Sequence, residues 1–187
     1  MIKKLMYACA LSAVSSVASA AVISYDFTGG SYAEGDPLTY SQDGLALSVT
    51  GTPGVAVDVN LGLGVYQGWP DSTQVDGFGY DETLSMVFGE SVTLLSVLFG
   101  AVSSNDDFTL GVNGSYVGYA DIPSGNLFDF SGYNFTGTSF DFSVKGTNDD
   151  YYVSGITVAT AAVPEPGTLA LLGLGLAGLG AARRRKA

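Results

Sequence analysis

TLSMVF (residues 83–88) and VTLLSVLFG (residues 92–100), separated by Gly89, Glu90 and Ser91, decide the fold class. Both runs are short, rich in β-branched and large apolar residues, and bounded by turn formers, which is how strands read. The second is apolar at odd and even positions alike, so it is expected to be a central strand covered on both faces. Working outward, helical periodicity is missing and similar runs recur between clusters of Gly, Asn, Asp and Pro. They are VISYDFT from Val22, LALSVT from Leu45, VAVDVN from Val55, LGVYQ from Leu63, FTLGV from Phe108, SYVGYA from Ser115, NLFDF from Asn126, SFDFSV from Ser139 and YYVSGITVAT from Tyr151.

About eleven short strands indicate an all-β chain, and a two-sheet sandwich or jelly roll is the expected architecture. In SFDFSV, Phe140, Phe142 and Val144 point one way and Ser139, Asp141 and Ser143 the other, so one face packs and one is wet. Asn113-Gly114 between two alternating runs predicts a hairpin with a type I′ turn. Residues 29–36 and 71–81 are expected to be long loops, and the sequence has no internal repeat.

Charge is distributed unevenly over the 187 residues. Of 18 acids all but Glu165 fall between residues 21 and 162, where Lys145 is the only Lys or Arg among the seven of the chain. So acidic a surface repels nucleic acid and anionic lipid, and it attracts divalent cations. There is no histidine, and the one cysteine is Cys9. Once residues 1–20 are removed, disulfides, the usual zinc sites and His- or Cys-based catalysis are excluded.

Residues 1–20, MIKKLMYACALSAVSSVASA, are expected to be a signal peptide. Lys3 and Lys4 precede an apolar stretch, and small residues at Ala18 and Ala20 set signal-peptidase cleavage before Ala21. The apolar run falls short of the ~20 residues that a bilayer span needs.

The other end, residues 163–187, reads VPEPGTLALLGLGLAGLGAARRRKA. Pro164, Glu165 and Pro166 force an extended entry. A Gly-rich apolar segment then predicts a short membrane helix, and Arg183, Arg184 and Arg185 stay cytoplasmic. A helix over residues 167–182 reaches only ~24 Å, less than the ~30 Å hydrocarbon core. These three parts together resemble the PEP-CTERM sorting domain, also called an ice-binding-protein C-terminal domain. The resemblance implies that an exosortase recognises the tail near Pro164–Pro166 and passes the protein from an inner-membrane intermediate to the cell surface or extracellular matrix. An ordinary membrane helix packing through Gly173, Ala177 and Ala181 would leave the proline signature unexplained.

That leaves residues 21–162 as the single folded domain, diffusely similar to galactose-binding-like jelly rolls, a likeness that names no site. Three acidic clusters suit calcium: Asp76 with Asp81 and Glu82, Asn105 with Asp106 and Asp107, and Asn148 with Asp149 and Asp150. One loop supplies too few carboxylates, so Asp106, Asp107, Asp149 and Asp150 are the expected pooled metal ligands. Asp and Asn are equally ordinary turn formers. Tyr66, Trp69, Phe78 and Tyr80, in or beside the longest loop, could form a sugar platform, flat rings covering a pyranose face; otherwise they close the end of the core. No catalytic residues are expected, because Asp81 and Glu82, as neighbours, point to opposite faces rather than across a cleft. The sequons at Asn113 and Asn134 are read as chance matches. The domain is thus expected to be structural or adhesive, the alternative being a carbohydrate-binding module for extracellular polysaccharide, with calcium as the one cofactor the acids suit.

Overall fold

In the computed structural model the described residues are 19–162, together with Gly173 and Gly175. Ala18, the sorting residues Pro164, Glu165, Pro166, Arg183, Arg184 and Arg185, and most of the expected C-terminal helix lie outside them. Between residues 20 and 161 every regular element is a strand. In chain order these are β1 Val22–Asp26, β2 Ala33–Gly35, β3 Leu38–Gln42, β4 Leu45–Thr52, β5 Val55–Val59, β6 Gly62–Tyr66 and β7 Val75–Asp76. They continue as β8 Thr83–Gly100, β9 Asp107–Val112, β10 Ser115–Asp121, β11 Leu127–Asp129, β12 Thr136–Ser143 and β13 Asp150–Thr160.

Hydrogen bonds link all 13 strands into one open antiparallel sheet, ordered β10-β9-β12-β8-β13-β6-β5-β2. Its spine is β8, where the two runs that opened the sequence reading merge into 18 continuous residues. Its first part pairs with β4, as far as Leu47 opposite Phe88, and with β12, which continues past residues 89–91 to Val92 and Thr93. Its second part pairs with β13, from Val92 opposite Thr160, and with β11. Gly89, Glu90 and Ser91 are exposed at the crossing and stay extended, so the glycine that suggested a break marks an exchange of neighbours.

β8 is central, but not because both of its faces are buried. Leu84, Met86, Phe88, Val92 and Leu94 are buried, and then Val97 and Phe99. The ladder skips Leu95, with Ser96 opposite Thr157 and Leu94 opposite Val158. This β-bulge moves the inward set from even to odd numbers, and Leu98, outward on the second half, is exposed.

The hairpin forms as expected: Ser115 faces Val112, and Asn113 and Gly114 take φ of 50° and 73°, both positive as a type I′ turn requires. Phe140, Phe142 and Val144 are buried as a set. Two expected loops contain short strands: Ala33–Gly35 pairs with β5, and Val75–Asp76 with β13.

The core is strongly aromatic. Phe99 lies 5.0 Å from Phe108 and 5.2 Å from Tyr151, the latter edge-on, and Phe88 meets Phe140 at 6.0 Å. Ala20–Ala161 separates as one unit and holds all of the strands and core residues, which is what a segment needs to fold alone.

Candidate functional site

The longest connection, from β6 to β8, returns close to where it began. Gln67 donates through Nε2 to Glu82 Oε1 at 2.9 Å, and the Asp76 N–H donates to Glu82 Oε2 at 3.1 Å. Glu82 is fully buried. Burial is the main cause that pushes its carboxyl up to about 7; the two hydrogen bonds pull it down, and the charges of Asp76 and Asp71 push it further up.

On this base stand the exposed rings. A tight turn, with the Asp71 N–H donating to the Gly68 carbonyl at 3.0 Å and Asp71 Oδ2 accepting from the Gln67 N–H at 2.8 Å, lifts Trp69 to 90% exposure. The Phe78 N–H donates to Asp76 Oδ1 at 2.9 Å, and Phe78 and Tyr80 are 75% and 72% exposed. Tyr66, the fourth expected ring, is half-buried at the end of β6. Rings closing the end of the core would be largely covered; three of these four are not.

The acidic loops come together beside these rings. Asp76 pairs with Asp150 in the β7–β13 ladder, and the Gly77 N–H donates to the Asp149 carbonyl at 3.3 Å. At Gly77 a side chain would bring Cβ to 2.2 Å from the Gly146 carbonyl oxygen, so only glycine permits this approach. Asn105 donates to the Asn148 carbonyl at 2.9 Å, and the Asp107 N–H to Asp149 Oδ1 at 3.3 Å. The 105–107 and 148–150 loops therefore meet through these bonds.

The carboxylates themselves are occupied in holding those loops. Asp149 Oδ2 accepts from the N–H groups of Lys145 and Gly146, at 3.2 and 2.6 Å. Asp106 accepts from the Ser103 N–H and hydroxyl, at 2.5 and 2.9 Å. Asp150 Oδ1 accepts from Gln74 at 2.6 Å. Burial raises the Asp150 carboxyl despite Gln74, and Asp106, Asp76 and Asp149 add to the rise. Asp107 is raised by burial first, then by Asp121 and Asp149, while Lys145, 3.9 Å away, opposes. Among the described residues no group of three or more acids is arranged to hold a metal ion.

Sequence reasoning missed a second aromatic cluster. Phe128, Phe130, Tyr133 and Phe135 contact one another, Phe128 and Phe130 at 4.6 Å and Tyr133 stacked on Phe135 at 5.3 Å. The signal was the run LFDFSGYNF, but only the fold brings it opposite β9 and β10.

At the expected cleavage point, Ala20 and Ala21 are exposed. The Thr160 N–H donates to the Ala21 carbonyl at 2.9 Å, so the last residue before β1 is held beside the end of β13. Residues 162–186 match the family model of the PEP-CTERM protein-sorting motif. The chain carries a PEP-CTERM tail. This motif marks an exported protein for exosortase-type sorting to the cell surface, and the matched span includes Pro164–Pro166 and Arg183–Arg185. No curated protein and no solved structure matches the chain. Among the described residues no helix is long and apolar enough to cross a membrane.

Proposed function

We propose that the β domain is a non-catalytic adhesive module that holds a neutral extracellular polysaccharide through Trp69, Phe78 and Tyr80. Signal peptidase releases the chain before Ala21, the tail holds it as an inner-membrane intermediate, and exosortase passes it to the surface or matrix. The observation that carries the binding role is the exposure of Trp69, 90%, on a turn pinned at its base. A flat apolar ring kept in water on an ordered support is suited to a pyranose face.

The charge argues for a neutral glycan, because an acidic domain repels an anionic one. The non-catalytic assignment is supported by Asp81 and Glu82, the first exposed and the second buried; this pair does not face across a groove.

Trp69 is the sole tryptophan of the chain, so it reports on its own environment. Titrating residues 20–161 with soluble fragments of neutral polysaccharides should shift its emission to the blue, and Trp69→Ala should abolish retention on the insoluble polymer. An unchanged emission and no retention across a panel of neutral glycans would overturn the binding role and leave a plain structural domain.

A further inference from the structure

We propose that the cleft between the β9–β10 hairpin and residues 128–135 is a second binding site, which takes a small monocyclic aromatic molecule such as a phenol. Phe108, Val117, Tyr119, Phe128, Phe130 and Tyr133 line it, and its volume is about 150 Å³. An apolar space of this size accommodates a benzene-sized ring. Among the described residues, the lining contributes no carboxylate, amide or amine side chain, only tyrosine hydroxyls. A pyranose buried here would leave most of its hydroxyls unpaired, whereas a phenol brings one polar atom. Tyr133, 57% exposed and in contact with Phe128 and Phe130, brings a hydroxyl-bearing side chain to the cleft to meet it.

The cleft is built rather than left over. A bulge between Tyr116 and Gly118 breaks the β9–β10 register beside Val117.

The test is amide chemical-shift mapping on residues 20–161 with phenol, and with glucose as comparator. Phenol should give saturable shifts confined to β9, β10 and residues 128–135, with a Kd on the order of 1 mM, and glucose none there. Ala120→Leu, which fills the cleft, should weaken phenol at least about tenfold while the rest of the spectrum stays native. If that variant does not fold, Tyr133→Ala, which removes an exposed wall, should weaken binding in its place. Trp69→Ala should leave phenol binding intact, which separates this site from the polysaccharide surface. Shifts that do not saturate, equal shifts with glucose, or undiminished binding in a folded Ala120→Leu or Tyr133→Ala variant would overturn the proposal.

Discussion

Gln67 donates to the buried carboxyl of Glu82 at 2.9 Å, and this bond closes the base of the loop that presents Trp69, Phe78 and Tyr80. It joins the last residue before the Trp69 turn to the residue that leads into the spine strand, so the exposed rings rest on the core rather than on a free tether.

Glu82 should make the domain less stable as pH rises. Its folded value of about 7 lies above the ordinary 4.5, so between these the folded state binds the extra proton. The stabilisation is fully present below the lower value and is lost as pH climbs through about 7, a change of at most about 3 kcal/mol. Thermal melts from pH 5 to pH 8 should show the decline, and Glu82→Gln should flatten it. A melting temperature that rises over this interval would contradict the assignment.

Trp69→Ala should change unfolding free energy by no more than about 0.5 kcal/mol, because the ring is 90% exposed. Chemical denaturation checks this. A larger loss would mean that the ring packs, and would weaken the case for a ligand surface.

Asp149 is a structural anchor for three N–H groups, those of Lys145, Gly146 and Asp107. Asp149→Ala should cost about 2–4 kcal/mol through stranded donors, with Asp149→Asn recovering part of it. Urea unfolding of the three proteins distinguishes anchoring from a merely solvating acid, for which both variants would be neutral.

Calcium should raise the melting temperature no more than magnesium does at equal ionic strength. Carboxylate oxygens of Asp106, Asp149 and Asp150 already accept hydrogen bonds from the loops, and freeing them would undo the turns. A specific calcium shift, reversed by chelator, would show that the loops rearrange to coordinate the ion.

Phe99 sits where β8, β9, β12 and β13 meet, against Phe108, Phe142 and Tyr151. Phe99→Ala should therefore cost about 3–5 kcal/mol, measurable as a lowered urea midpoint with an unchanged slope.

Local patterns in the chain were enough for the all-β class, the Asn113-Gly114 hairpin, the inward face of Phe140, Phe142 and Val144, and the sorting tail. Turn chemistry, strand alternation and a contiguous address motif are properties of neighbouring residues, so sequence alone carries them. The tertiary structure decided what depends on distant partners. Gly89–Ser91 stays extended because β12 pairs with β8 on both sides of it while β4 gives way to β13 on the other edge, and the apolar run after it is not buried twice but changes phase at Leu95. Burial of Glu82, exposure of Trp69, and the meeting of residues 128–135 with β10 follow from the same cause: accessibility and charge environment are set by which strands pair, and pairing over such separations leaves no periodic trace in the sequence.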